Sequence, residues 1–213
     1  MSSPSARARR GKPERLTPPS VLAGLPVEFV GSFPDPHHLL DPPGPEIAFL
    51  GRSNVGKSSL LNALLGRRVA RVSSTPGKTQ FLNAYRVGTG YFVDLPGYGW
   101  ARASKTERSR FRRLVHDAIA RRTTLTAVVW LLDIRHTPSD EDRAMQELLF
   151  GSGKPTLVVL TKGDKLSRAE RLRAVRSRAE ELGVPEDQVL ATSSSTSEGV
   201  AELAEAIVRE LGS

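Results

Sequence analysis

From Glu46 onward, short apolar runs rich in β-branched residues alternate with longer stretches of helical period. Short apolar runs bounded by turn residues read as strands, and apolar positions three and four apart read as helix. The segments EIAFLG (46–51), QFLNAYRV (80–87) and YFVDLPG (91–97) are therefore predicted strands, with helices from Lys57 and over 105–121. TAVVWLLD (126–133) leads to a helix beginning near Pro138, TLVVLTK (156–162) to one over 167–181, and QVLATSS (188–194) to one over 199–211. Uninterrupted apolar strands such as AVVWLL suit a mostly parallel central sheet with helices on both faces, a three-layer α/β fold.

Before Glu46 this pattern is absent. Ten of the fifteen prolines lie in residues 1–45, and proline fixes its own φ and drives the preceding residue out of the helical region. VEFVGSF (27–33) is predicted as an edge strand and 34–45 as a stiff connection. Residues 1–25 are expected to form a disordered basic tail, because so few apolar side chains cannot offset the entropy of ordering the backbone. One domain over 26–213 follows it.

Charge sharpens that division. The net charge is +8, and the surplus is confined to two places. Residues 1–25 hold five basic groups against one acid, and residues 102–122 hold eight against two. Localised cationic surface of this kind points to an anionic partner. No apolar run has the length of a membrane span, and no apolar stretch follows the basic residues at the N-terminus as a secretory signal requires. With no cysteine there is neither a disulfide framework nor a thiolate metal site. A soluble protein of the reducing cytoplasm is expected.

Residues 51–58 read Gly-Arg-Ser-Asn-Val-Gly-Lys-Ser, the pattern G-x-x-x-x-G-K-S between a predicted strand and a predicted helix. Glycine lets the backbone turn its N–H groups toward a polyphosphate at a helix N-terminus; Lys57 reaches the β- and γ-phosphates and Ser58 offers a hydroxyl to Mg²⁺. Asp94, Leu95, Pro96 and Gly97 end another strand, where the carboxylate is expected to hold Mg²⁺ through water and the Gly97 N–H to meet the γ-phosphate. Thr161, Lys162, Gly163 and Asp164 follow a third strand, and an aspartate there accepts from guanine N1 and N2. Thr192, Ser193 and Ser194 follow the last strand, where backbone N–H groups are expected at the guanine carbonyl. All four lie at the strand ends where open α/β sheets bind ligands.

With GRSNVGKSSLLNALL at 51–65, TPGKTQFLN at 75–83, DLPGYGWA at 94–101, LLDIRHTPSDEDRAM at 131–145 and TKGDK at 161–165, the chain resembles the P-loop GTPases of the TrmE-Era-EngA-EngB group. Within that group it is similar to the EngB (YihA/YsxC) family of ribosome-assembly GTPases. The likeness runs from about Val27 to the C-terminus. It implies GTP/GDP and Mg²⁺ as cofactors, with Gly51, Arg52, Ser53, Asn54, Val55, Gly56, Lys57, Ser58 and Ser59 forming the phosphate loop. It implies a first switch carrying Gly77, Lys78, Thr79, Gln80 and Phe81, in which Thr79 completes the Mg²⁺ shell beside Ser58 and Asp94, and a second switch from Asp94. Thr161 stands where many GTPases have Asn, which leaves Asp164 as the main specificity residue, and Trp100 stands where the family often has Tyr.

Lys57, Thr79, Gly97 and Asn54 are the candidate catalytic residues. Tyr98 follows Gly97 where many small GTPases carry a water-orienting glutamine, and a phenol, with donor and acceptor on a single oxygen, cannot take over a carboxamide's donor-plus-acceptor role, so slow intrinsic turnover is expected. Asn54 matches a phosphate-loop asparagine that in similar GTPases helps hold K⁺; as a turn residue it equally suits left-handed geometry. The resemblance implies a monomeric assembly factor for the large ribosomal subunit precursor, needed for growth and cell division, that touches rRNA through 102–122 and the tail. The alternatives are a nucleotide-regulated switch acting on a protein or septation partner, and a P-loop ATPase or kinase of another class.

Overall fold

A computed structural model describes residues 20–70, 81–99 and 105–212. Its strands are β1 (Val27–Phe33), β2 (Glu46–Gly51), β3 (Leu82–Val87), β4 (Gly90–Asp94), β5 (Leu125–Asp133), β6 (Thr156–Thr161) and β7 (Val189–Ala191). Its helices are α1 (Lys57–Leu65), α2 (Lys105–Arg121), α3 (Asp140–Gly151), α4 (Arg168–Leu182) and α5 (Val200–Gly212). Among the described residues the strands form one sheet in the order β1-β3-β4-β2-β5-β6-β7. β2 pairs in parallel with β4 and β5, and β5, β6 and β7 continue in parallel. β3 pairs antiparallel with β1 on one side and with β4 on the other, and β3 and β4 meet in a tight hairpin that brings Val87 opposite Gly90. A two-residue connection permits only antiparallel pairing, whereas the helical crossovers elsewhere permit parallel.

Successive strand residues face opposite sides, so two cores result. Ala48, Leu50, Trp130, Leu132, Val158 and Leu160 meet Val115 and Ile119 of α2, Met145 and Leu149 of α3, and Leu182 of α4. Ile47, Phe49, Val129, Leu131 and Val159 meet Leu60 and Leu64 of α1 and Leu203 and Ile207 of α5. Each wholly buried large side chain contributes about 1.5–3 kcal/mol. Both helices that follow β5 and β6 start cleanly: Ser139 and Ser167 form reciprocal capping boxes with Asp142 and Glu170. No helix among the described residues is long and apolar enough to cross a membrane.

Two expectations change. Residues 20–25, expected within the tail, form a turn closed by Ala23 N–H donating to Ser20 O (2.8 Å), and Leu22 is completely buried in the core that α1 and α5 share with the sheet. The apolar cluster Val-Leu-Ala-Gly-Leu at 21–25 was diluted by the charged residues before it. Residues 1–19 lie outside the described part.

The second change concerns Arg122, counted in the cationic stretch. Its side chain is 3% exposed, and Nε and Nη2 each donate to the Glu46 carboxylate at 2.7 Å. Its Nη1 donates to Pro36 O (2.8 Å) and His38 O (2.9 Å), and Thr124 Oγ1 donates to the same carboxylate at 2.6 Å. Arg122 therefore fastens the proline-rich connection to the sheet and offers nothing to an outside anion. Removing one member of a buried, fully bonded pair leaves the other charge without compensation. Arg122→Ala is expected to cost about 3–5 kcal/mol in urea unfolding, against about 0.5 kcal/mol or less for Arg121→Ala on the exposed neighbour.

Candidate functional site

The carboxyl ends of β2, β4, β6 and β7 deliver the four sequence segments to one edge of the sheet. At the end of β2, a Cβ on Gly51 would meet Leu131 O at 2.8 Å, so only glycine lets the chain leave the strand there. Asn54 (φ 65°) and Gly56 (φ 107°) then turn left-handed and reverse the chain into α1. That helix has no side-chain cap and no acid in its first turn. Its first N–H groups lack intrahelical acceptors, which suits an anion.

Lys57 is buried in that first turn and pairs with the Asp94 carboxylate, itself buried at the end of β4. The donor set around this turn, a hydroxyl at Ser58 and a carboxylate at Asp94, is the hard oxygen chemistry that Mg²⁺ takes. Burial, and secondarily the charge of Asp94, push the Tyr85 phenol up to about 12.

The loop after Asp94 lies on the phosphate loop. Leu95 N–H donates to Phe49 O (3.0 Å), Tyr98 N–H to Gly51 O (3.2 Å), and Ser53 N–H to Tyr98 O (2.8 Å). A Cβ on Gly97 would stand 3.0 Å from Ser53 N. Val55 and Leu95 put their side chains in the core, so only their backbones face the site. Asn54 is exposed, and its carbonyl accepts from Lys162 Nζ at 2.9 Å.

Thr161 sends its hydroxyl to Val55 O (2.7 Å) and Leu132 O (3.1 Å), tethering β6 to the phosphate loop. Lys162 (φ 63°) bridges Asn54 O and the Asp133 carboxylate, the latter at 2.9 Å. Asp164 accepts from Ser193 Oγ at 2.8 Å and pairs with Lys165 at 3.0 Å. Burial pushes its carboxyl up, but the bonds from Lys165, Ser193 and Ser195 outweigh that and hold it lowered. Gly163 N–H donates to Thr192 O (2.9 Å), joining the two loops.

Two of the expected backbone donors are already spent. Thr192 N–H donates to Leu160 O (2.7 Å) and Ser193 N–H to Glu198 O (2.9 Å), so the trio is reduced to Ser194. Ser59 is half-buried in α1 and Phe81 is 45% exposed before β3. Gly77, Lys78, Thr79, Gln80 and Trp100 lie outside the described residues.

Sequence reasoning missed a cluster behind this edge. Trp130 Nε1 donates to the Tyr98 hydroxyl (2.8 Å), which donates to Asp142 Oδ1 (2.7 Å). Asp142 Oδ2 accepts from Ser139 N and Oγ, and Arg52 Nη1 reaches Ser139 Oγ at 2.6 Å. The spacing Ser139-x-x-Asp142 is a capping-box signal and could have flagged the carboxylate.

Residues 46–162 match a family model described as "50S ribosome-binding GTPase". The "Probable GTP-binding protein EngB" of Desulfitobacterium hafniense is 47% identical over 167 residues, 77% of this chain and 83% of that protein. The protein of the same name from Syntrophus aciditrophicus is 49% identical over 164 residues, 75% of this chain and 83% of its own. A crystal structure of a probable GTP-binding protein engB superposes with a TM-score of 0.66 at 24% identity, covering 78% of this chain and 98% of that one. Era in complex with MgGDPNP and nucleotides 1506–1542 of 16S ribosomal RNA gives 0.65 at 24% identity, covering 82% of this chain and 58% of that one. Both structures share the P-loop GTPase fold.

The site also carries a charge signature open to measurement. Burial raises the Asp133 carboxyl, yet bonds from Arg135 and Lys162 prevail and hold it well below the usual carboxylate range. A folded-state pKa below the unfolded one stabilises the fold above the unfolded value, about 3.9 for Asp, and is lost as pH falls through the folded value. Asp133→Asn should therefore lower urea-unfolding stability at pH 7, and the gap from wild type should narrow progressively below about pH 4.

Proposed function

We propose, for a chain that belongs to the EngB family of GTP-binding proteins and hydrolyses GTP, a role as a slow molecular switch in assembly of the large ribosomal subunit. The observation that carries the reading is the meeting of an uncapped G-K-S helix, Asp94 and the Asp164–Ser193 pair at one sheet edge. In this reading Gly56, Lys57 and the first turn of α1 hold the phosphates, while Asp164 and the Ser194 N–H read guanine. Ser58, Thr79 and, through water, Asp94 would hold Mg²⁺, which neutralises charge on the β- and γ-phosphates when bound. Lys57 exchanges the Asp94 carboxylate for phosphate oxygens, and Gly97 offers its N–H to the γ-phosphate.

Turnover is slow because the side chain after Gly97 faces away from the reaction. The Tyr98 hydroxyl is committed to Trp130 and Asp142, so it orients no water. Asn54, exposed at the tip of the phosphate loop, is the proposed K⁺ ligand. Single-turnover hydrolysis is expected to be faster in K⁺ than in Na⁺ at equal ionic strength; equal rates reject the K⁺ role.

Ribosome contact draws support from the family description and from α2. Arg110, Arg112, Arg113 and Arg121 are exposed there, immediately after the second switch. Asp117 offsets part of that charge, lying 3.9 Å from Arg113 and 3.5 Å from Arg121. Arg102 and the side chains of Lys105 and Arg108 lie outside the described residues. The protein is proposed to act as a cytoplasmic monomer, with the N-terminal tail adding charge and the effect on division following from ribosome supply. Sedimentation with large subunits should show association with a GTP analogue and not with GDP. Changing Arg110, Arg112 and Arg113 to Glu should abolish it, and wild-type binding should fall steeply with salt. State-independent association would overturn the proposal.

A further inference from the structure

We infer that Tyr98, pinned by Trp130 and Asp142, is the positioning residue that holds Gly97 on the phosphate loop and so sets the affinity for GTP relative to that for GDP. The inference rests on the reading that Gly97 meets the γ-phosphate, and it assigns that contact its support.

The geometry has two halves. Through its backbone, Tyr98 pairs with Gly51 O and Ser53 N, which lays Gly97 against Ser53. Its ring points the other way, into the core between β5 and α3, where Trp130 is wholly buried and Asp142 is 3% exposed. The phenol oxygen accepts from one and donates to the other, so swinging the side chain about χ1 would break two buried bonds at once. Burial, with the charge of Asp142, keeps the phenol protonated, which makes it a donor at all ordinary pH.

The anchor is itself held. Asp142 is the third residue of α3, fixed by the Ser139 N–H and hydroxyl. Arg52, from the phosphate loop, reaches Ser139 Oγ and lies 3.6 Å from Asp142 and 3.7 Å from Glu141. Phosphate loop, second switch and α3 thus converge on one carboxylate. With the ring unpinned, the loop carrying Gly97 samples other conformations, and apparent affinity falls by the fraction of time it is correctly placed. That cost falls only on a ligand that uses Gly97. GTP has the γ-phosphate and GDP does not.

The test uses the full chain with Tyr98→Phe, Trp130→Phe and, as a reference, Gly97→Ala, each checked by urea unfolding. Affinities for GDP and a non-hydrolysable GTP analogue are measured by fluorescence titration, and hydrolysis by single turnover. Tyr98→Phe and Trp130→Phe should lower analogue affinity and turnover roughly tenfold, the scale of one buried hydrogen bond, with GDP affinity within about twofold. Equal losses for GDP and analogue would make the cluster a fold element and overturn the inference. Unchanged ratios in both variants, with a changed ratio in Gly97→Ala, would overturn the inference alone. An unchanged ratio in Gly97→Ala as well would overturn the γ-phosphate reading beneath it.

Discussion

The pairing of β2 with β4 does not stop where the strands stop. Beyond Gly51 and Asp94 the two segments stay joined through Tyr98, which brackets Arg52 by donating its N–H to Gly51 O and accepting at its carbonyl from Ser53 N–H. Everything at the sheet edge is arranged around that extension. It fixes how far Gly97 stands from the phosphate loop, and it sends the Tyr98 ring backward into the core rather than outward to solvent. It also leaves the loop tip at Asn54 to be held from a third strand, by Thr161 and Lys162. Three strands therefore constrain one loop of five residues between Gly51 and Lys57, a degree of preorganisation that a phosphate cradle needs.

Cations in this protein divide by what they do rather than by where they fall in the chain. Lys57, Arg122, Arg52 and Lys162 are structural in the described arrangement, each facing an acid across the fold. The arginines of α2 are different, since their only near acid, among the described residues, is Asp117. A surface ion pair of that kind is worth about 0–1 kcal/mol and is screened by salt. It restrains these arginines little. The contrast with the buried Glu46–Arg122 pair separates fold charge from surface charge more sharply than a net count does.

Much of the fold was legible because strand and helix periods differ and each strand is short, apolar and bounded by turn residues. Motif spacing placed Lys57, Asp94 and Asp164 at strand ends, and parallel pairing brings those ends together. What escaped was long-range. Arg122 and Glu46 are 76 positions apart, and nothing local distinguishes a buried arginine from its exposed neighbour Arg121. The N–H groups of Thr192 and Ser193 looked available because a sequence does not show which carbonyls fold back on them. That Tyr98 is no glutamine is plain in the sequence, yet its attachment to Trp130 and Asp142 depends on where β5 and α3 meet. Leu22 was hidden by averaging over a charged segment.

The turn at Ser20 stands on the α1–α5 side of the sheet, where Leu22 joins the core, while α2 packs on the opposite side. The start of the described chain and the arginine-bearing helix α2 thus stand on opposite sides of a single sheet. A flat anionic surface can engage one side at a time. Only a partner that curves around the domain could touch both sides, and two linked contacts would gain far more than either alone through effective concentration.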